Sequence, residues 1–353
     1  MGTKGGAGGR HDGGVIAERL TGQLLSGPPA RDPVAVAERL LAVQAQDPRG
    51  ARLAIRARTT GLSVADVDRA LTEDRSLLIT WLNRGTLHLV RSEDYPWLQA
   101  ITTPPLHTGN ARRLREEGVS PAAAERGVAV IERSLAEEGP MTRSQLRERV
   151  GAAGVRTEGQ ALVHILMLTC LRGLAVRGPM VGRQQAYALV RDWLGDPKPV
   201  DRDAALADLS RRYLAGHGPA GERDLAKWAG LPLRDVRAGL AAIAPELEER
   251  GDGLLALAGR AREGEIPPPR LLGSFEPVLL GWASREPLLG DGKAVVTVNG
   301  LFRPFALVDG RAAATWTLHD GKVALEPFGR LARAHARVLD DEAADVVRFL
   351  AER

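Results

Sequence analysis

The chain has 353 residues, of which 44% are apolar and 26% charged, as in a globular protein of two or three domains. Its single cysteine, Cys170, excludes a disulfide framework and a zinc site built on several thiolates. No apolar stretch is long enough to span a membrane, and the glycine-rich residues 1–14 lack the apolar core of a signal peptide. We therefore expect residues 1–14 to be a disordered tail and the protein to be cytoplasmic.

The formal net charge is +4, and only five of the 48 basic residues are lysines. Arginine forms bidentate contacts with phosphate and with guanine edges more readily than lysine does, which favours a nucleic-acid partner. A GC-rich genome would produce the same bias, so the composition alone leaves both explanations open.

The chain begins with a pattern of three helices and a hairpin. Apolar spacing predicts a helix over 15–25, and Pro33 opens a second helix that should run to about Gln46. A third helical pattern covers 53–58, and two strands, 77–82 and 86–90, flank a turn. This order is typical of a winged helix-turn-helix, which we place over 15–120.

Residues 131–146 and 210–225 are an internal repeat with an offset of 79 residues. In each copy a helix ends at Gly-Pro, two further helical segments follow, and a predicted hairpin closes the unit. These features predict winged-helix modules over 121–200 and 201–266.

Three consecutive prolines, 267–269, precede a change to the alternating pattern of strands. We predict antiparallel strands over 294–298, 302–308, 312–318 and 322–325, and a last helix over about 340–352. The predicted fold class is therefore α+β, with three tandem winged-helix modules and a C-terminal antiparallel β-domain, 267–353.

Two glutamines, Gln44 and Gln46, flank Ala45 where the second helix should stop before Asp47-Pro48. Side chains two residues apart diverge by about 200° on a regular helix, which would leave both amides in water. If the helix unwinds here, both amides can point into one cleft.

The predicted first hairpin carries a second group of candidates. Strand alternation places Thr86 and His88 on one face, next to the turn that contains Arg84. Such a histidine is either a packed structural residue or a contact to a nucleic-acid backbone. Other candidate phosphate contacts are arginines near the motif, in the linker and on the second wing: Arg49, Arg112, Arg113, Arg115 and Arg183.

Four runs in order, VQAQDPRGARLAI, TWLNRGTLHLV, LLGSFEPVLLGW and LFRPFALVDGRAAATW, resemble the winged-helix DNA glycosylases of the AlkZ/YcaQ kind. The resemblance implies a C-shaped DNA channel and a catalytic Gln–apolar–Gln motif, here Gln44 and Gln46. On this resemblance, and on its place beside the Arg84 turn, we expect His88 to contact the phosphate near the lesion. With the residues chosen by their position, the expected DNA-binding set is His88, Arg84, Arg49, Thr86 and Arg183.

The implied function is that of a monofunctional glycosylase that removes N7-alkylated purines, in particular bulky adducts or crosslinks left by a DNA-alkylating natural product. Its partner would be double-stranded DNA, so we expect it to be nucleoid-associated when bound. We also expect a monomer without a cofactor or a metal ion. Two alternatives stay open: a winged-helix regulator without catalysis, and a glycosylase of broad range for simple alkylpurines.

Overall fold

The computed structural model describes residues 8–182, 184–196, 199–250, 253–260, 264–290, 294–297 and 299–351, apart from the side chains of 8–13. These residues divide into two compact units. Unit 1 takes the described residues up to Val67, Leu206–Trp228 and those from Pro232 onward, and unit 2 takes Asp68–Ala205 and Ala229–Leu231. None of the described helices combines the length and apolar character needed to cross a membrane.

Helices and antiparallel strands alternate along the chain. The first half contains α1 (Gly8–Gly22), α2 (Pro33–Leu40), β1 (Val43–Gln44), α3 (Pro48–Arg56), α4 (Val64–Thr72), β2 (Leu77–Leu82), β3 (Thr86–Arg91), α5 (Tyr95–Thr102), α6 (Leu106–Glu116), α7 (Pro121–Glu138), α8 (Arg143–Ala152), α9 (Ala161–Leu171), β4 (Ala175–Val181) and β5 (Gln184–Leu189). The second half contains α10 (Val190–Leu194), α11 (Arg202–His217), α12 (Glu222–Ala229), α13 (Leu233–Ala242), a 3-10 turn (Ala244–Glu246), β6 (Leu247–Glu249), β7 (Leu255–Leu257), β8 (Arg270–Leu272), α14 (Pro277–Leu280), α15 (Glu286–Leu289), β9 (Phe305–Val308), β10 (Arg311–His319), β11 (Lys322–Pro327) and α16 (Arg333–Ala351).

Helix α9 is the centre of unit 2. Its residues are apolar almost all round, as expected of a helix that is buried on several sides, and it packs against α6, α7, β2 and β4. Cys170 is fully buried in it, and burial raises the pKa of the thiol to about 12. The prediction that Cys170 is a small core residue is therefore confirmed.

The two copies of the sequence repeat form the same backbone pairing. In the first copy Met141 pairs with Tyr187 in the β4–β5 hairpin, and in the second copy Ala220 pairs with Leu255 in the β6–β7 hairpin. Met141 and Ala220 are separated by the 79 residues of the repeat offset. Each copy thus has a helix, a strand-paired residue, two helices and a hairpin in the predicted order.

The C-terminal part of unit 1 is an antiparallel sheet with the strand order β11–β10–β9–β8. Helix α16 packs against β8, where the buried side chains Phe305 and Phe349 contribute to the core. The Trp316 indole N–H donates a hydrogen bond to the Leu272 carbonyl over 2.9 Å. The predicted antiparallel strands are confirmed for β9, β10 and β11.

Two predictions for the C-terminal part are wrong. Helix α16 begins at Arg333 and not near Asp340. The prediction missed residues 333–337 because they are exposed or partly buried and carry no large apolar side chain from which a helical stripe could be detected. Residues 294–297 form no strand, and only Val296 pairs, with Phe302. Residue 298, the end of that predicted strand, lies outside the described residues.

Two predictions near the start of the chain also differ from the structure. Helix α1 begins at Gly8, so helical backbone extends into the part of the chain that we expected to be a tail. Helix α2 ends at Leu40 and does not continue to Gln46. The first seven residues lie outside the described part of the chain.

Charged groups of the C-terminal part hold the end of α3. The Arg56 guanidinium donates to Asp345 at 2.8 Å and to Glu342 at 2.6 Å. Arg58 follows the helix and donates to Glu276 at 2.5 Å, and neither side chain of this pair is exposed at all. A buried pair of this kind is costly to break, because the partner left behind is an uncompensated charge.

We therefore expect Glu276→Ala to lower the free energy of unfolding by about 3–5 kcal/mol, measured by urea denaturation. The matched control is Glu222→Ala, which removes a partly exposed carboxylate that binds Arg237 at 2.7 Å and should cost about 1 kcal/mol or less. Equal losses of unfolding free energy in the two variants would show that the buried ion pair stabilises the fold no more than the partly exposed one does.

Candidate active site

The glutamine pair lies in the connection between α2 and α3. The chain leaves α2 at Leu40 and passes through the short strand β1, where Gln44 is buried, to the exposed Gln46. The Gln44 amide Nε2 donates a hydrogen bond to Gln46 Oε1 over 3.2 Å. The two side chains therefore converge, as they would if the helix unwound, and do not diverge as they would on a helix.

Local backbone preferences explain why α2 stops early. Leu41 is fully buried and has a φ of 65°, a left-handed conformation that cannot continue a helix. Asp47 precedes Pro48, stays extended, and accepts a hydrogen bond from the Arg49 backbone N–H at 3.0 Å. Asp47 is thus the N-cap of α3, and Pro48 occupies the first helical position. Asp47-Pro48 starts the next helix, and the glutamines fall in the connection.

The side-chain amides of Gln44 and Gln46 have dipoles but carry no net charge. An amide has an acceptor oxygen and two N–H donors, and it neither gains nor loses a proton near neutral pH. The Gln44–Gln46 bond uses one donor and one acceptor lone pair. Such a pair can orient a water molecule or face a developing positive charge, but it cannot remove a proton as a carboxylate would.

Burial makes His88 a neutral side chain. It is 2% exposed on β3, and burial, with a further contribution from the charge of Arg84, lowers its pKa to about 3. Nδ1 lies 2.9 Å from the Thr86 carbonyl, so the single ring proton is donated there and Nε2 is left as an acceptor. A hydrogen bond from His88 to a phosphate would therefore require a second proton.

The turn between β2 and β3 is packed. Asn83 and Gly85 both have positive φ, and a Cβ at Gly85 would lie 3.4 Å from Met167 and 3.6 Å from Leu106. Asn83 is completely buried, and its side-chain oxygen and nitrogen have no hydrogen-bond partner among the described residues; the same holds for the Thr86 hydroxyl. Buried polar groups normally have a hydrogen-bond partner. Asn83 is therefore a candidate functional residue, and the sequence alone did not indicate it. The sequence identifies a turn residue there, but burial of its amide depends on tertiary packing.

The predicted arginines have different surroundings. Arg49 is exposed on the first turn of α3, and Arg84 is partly buried in the β2–β3 turn. The side chains of Arg112, Arg113 and Arg115 are exposed on α6, where Arg113 also binds Glu116 at 2.7 Å. Arg183 lies outside the described residues. The structure thus groups Gln44, Gln46 and Arg49 in one short segment of unit 1, and Arg84, Thr86 and His88 in one hairpin of unit 2.

A family model described as DNA glycosylase AlkZ-like matches residues 37–349, which include both the glutamine pair and the hairpin. The chain belongs to the AlkZ-like DNA glycosylases. It is 28% identical to an interstrand DNA cross-link repair glycosylase of Streptomyces sahachiroi, over 95% of each chain. It also resembles the solved structure of the DNA glycosylase AlkZ of Streptomyces sahachiroi, with a TM-score of 0.76, 26% identity and 96% of each chain covered.

Membership of the AlkZ-like family confirms the resemblance found in the sequence and makes the chain an enzyme that acts on DNA. A regulator without catalysis is no longer an alternative. The mixed helical and antiparallel architecture matches the solved AlkZ structure over nearly the whole chain. The roles of individual residues in this AlkZ-like chain, including Gln44 and Gln46, stay predictions.

Two neutral buried histidines should make this AlkZ-like protein sensitive to acid. Burial lowers the pKa of His88 and of His217 to about 3, from 6.5. Their contribution to stability is complete above pH 6.5 and is lost as the pH falls toward 3, because the unfolded chain takes up the protons first. Between pH 6.5 and 3, we expect His88→Asn to reduce the slope of the free energy of unfolding against pH by up to about 1.4 kcal/mol per pH unit, as measured by chemical denaturation.

The matched control is Thr169→Ser, because Thr169 is a fully buried polar residue of unit 2 that carries no titratable group. It should leave the pH dependence as it is in the unaltered protein. A His88→Asn protein with the same curve as the unaltered protein would show that His88 is not held neutral by burial.

Proposed function

We propose that the chain is a monofunctional DNA glycosylase that hydrolyses the N-glycosidic bond of N7-alkylated purines in duplex DNA, with Gln44 and Gln46 as the catalytic pair. The observation that carries this proposal is the convergence of the two amides, joined by a 3.2 Å hydrogen bond at the start of α3. A polar helix end with both glutamines in water would not bring them together in this way.

The chemistry suits neutral amides. Alkylation at N7 gives the purine a positive charge, so the base leaves without protonation by a general acid. Bond cleavage builds oxocarbenium character on the sugar, as in glycoside hydrolysis. The amide carbonyls can hold the attacking water, and their dipoles can face the developing cation. An aspartate at position 46 would instead add a full charge and a base.

A monofunctional reaction is supported by the scarcity of lysines. A lyase step would need an amine that forms a Schiff base with the sugar. The chain has five lysines, and none lies in the motif: Lys4, Lys198, Lys227, Lys293 and Lys322. Lys227 donates to the Ala283 carbonyl at 2.9 Å. The proposed reaction therefore uses water as the nucleophile and needs no cofactor.

We propose bulky N7 adducts or interstrand crosslinks from a DNA-alkylating natural product as the lesion, with self-resistance as the role. The name of the Streptomyces relative, an interstrand cross-link repair glycosylase, supports this class of lesion. The motif supports it as well, because the resemblance assigns the Gln–apolar–Gln form to self-resistance members and the form ending in aspartate to members of broad range. Simple methylated purines are the alternative substrate.

For DNA binding we propose three winged-helix modules, 15–120, 121–200 and 201–266, followed by the β-domain, 267–353, in a monomer. The strand pairings of Met141 and Ala220 with the hairpins support the second and third modules, because a winged helix has this short strand between its first two helices. Helix α9 is buried on several sides, so we propose contacts through arginines and the first hairpin, and no groove reading by α9. The C-shaped channel stays a prediction.

Gln46→Ala and Gln44→Ala should each lower the rate of base release by about 10²–10³, the loss typical of removing one preorganised polar group. The measurement is single-turnover release from duplex DNA with N7-methylguanine, and separately with a bulky intercalating N7-guanine adduct, read by alkali cleavage. Gln160→Ala is the control, because Gln160 is exposed and its side chain makes no capping hydrogen bond at the N-terminus of α9, where it is the N-cap residue. Unchanged release in both motif variants would remove the glutamines from the mechanism. The ratio between the two substrates decides between self-resistance and general repair.

Arg49→Ala and Arg84→Ala should weaken binding to duplexes of any sequence and reduce the slope of log Kd against log salt by about one each. Fluorescence anisotropy over a salt series measures this slope. Arg237→Ala is the control, since this exposed arginine is bound to Glu222 through two hydrogen bonds. A slope equal to that of the control would show that the replaced arginine contacts no phosphate.

A further inference from the structure

The first turn of α3 lies in direct backbone contact with the chain that follows β8. A Cβ atom at Gly50 would lie 2.4 Å from the Ser274 carbonyl oxygen and 3.2 Å from its carbonyl carbon. A Cβ atom at Gly273 would lie 3.0 Å from Leu53 Cβ and 3.1 Å from the Gly50 backbone oxygen. No side chain separates the two segments, because each contributes a glycine at the point of contact.

This contact resists adjustment. The atom nearest to Gly50 belongs to the main chain, so it cannot rotate away as the end of a flexible side chain could. Gly50 is buried within the helix, whose other end is held by the hydrogen bonds of Arg56 to Glu342 and Asp345. Helix α3 is therefore fixed at both ends, and a larger residue at Gly50 must displace its first turn.

The first turn of α3 is joined directly to the glutamine pair. Gln46 precedes the N-cap Asp47, and the cap bond to Arg49 N ties the connection to the helix. Gln44 is in turn linked to Gln46 by the amide hydrogen bond. A displacement of the first turn is thus passed to both amides.

We propose that Gly50 is a positioning residue, which sets the place of Gln44 and Gln46 against the glycosidic bond by letting α3 approach Gly273-Ser274 at backbone contact distance. This inference rests on the proposed function, because it assigns a consequence for catalysis. A displacement of about 1 Å at a catalytic group can cost on the order of 10²-fold in rate.

The test compares three Gly→Ala variants of the full chain. Gly50→Ala forces the closest approach, Gly273→Ala a tighter than usual but milder one, and Gly14→Ala, in the exposed part of α1, meets nothing within 4 Å. Alanine favours a helix more than glycine does, so Gly50→Ala and Gly14→Ala have the same local effect on helix propensity. They differ in the contact with Ser274.

Three quantities are measured for each variant: the single-turnover rate of release from N7-methylguanine duplex, the Kd for undamaged duplex, and the Tm. We expect the rate to fall about 10²-fold in Gly50→Ala and less in Gly273→Ala, and to stay unchanged in Gly14→Ala. At a temperature well below each Tm, the Kd should stay within about twofold in Gly14→Ala. In Gly50→Ala and Gly273→Ala it should rise no further than in Arg49→Ala, since the displaced turn carries Arg49 as its proposed phosphate contact.

An unchanged rate in Gly50→Ala would overturn the inference. A loss of duplex binding that matches the loss of rate and exceeds that of Arg49→Ala would also overturn it, because a general loss of packing would then explain the effect. If Gly50→Ala does not fold, Gly273→Ala decides the matter by the same two criteria. Failure of the proposed function gives a different result: the unaltered enzyme releases no base, or Gln46→Ala releases it at the normal rate. Either result would also refute the role inferred for Gly50.

Discussion

The fully buried contact between Arg58 and Glu276 determines where the candidate catalytic segment lies within unit 1. An arginine without exposure can be accommodated only if its donors are satisfied, and Arg58 also donates to the Gln23 and Ala54 carbonyls. The two charges must therefore meet whenever this unit is folded. Since Arg58 directly follows α3, the helix that begins beside Gln46 is tied to the C-terminal part of the chain.

This constraint gives α3 two functions at once. Its C-terminal end carries the charges that join distant parts of unit 1, with Arg56 also donating to the Leu271 carbonyl. Its N-terminal end carries the cap that shapes the glutamine connection. A neutral amide pair cannot rely on strong long-range attraction to hold water or substrate, so its effect depends on placement. Rigid attachment of the helix supplies that placement, which is why stability and catalysis should be coupled here.

Helix ends and hairpins that depend on a few neighbouring residues could be predicted from the sequence. The Leu77–Leu82 and Thr86–Arg91 hairpin and the repeated Gly-Pro helix ends follow from alternation and from turn residues, whose effects act within a few positions. The glutamine motif was located by its resemblance to a family, and spacing alone left two geometries open. The start of α16 at Arg333 was missed, because its first turn carries no large apolar side chain and so leaves no apolar periodicity.

What the sequence could not show depends on contacts between distant residues. The left-handed Leu41 ends α2 although leucine carries no such signal, because burial of Leu41 outweighs the local strain. In the sequence Gly50 is an ordinary glycine just before a predicted helix. Its close contact with Ser274, more than 200 residues later, is visible only in the structure. The sequence leaves open whether His88 is a packed residue or a phosphate contact, and only its burial in the folded chain lowers its pKa and makes it neutral. Leu41, Gly50 and His88 have properties that change with packing, so the motif predicts a reaction, and the tertiary contacts are needed to predict how the proposed glutamine pair would perform it.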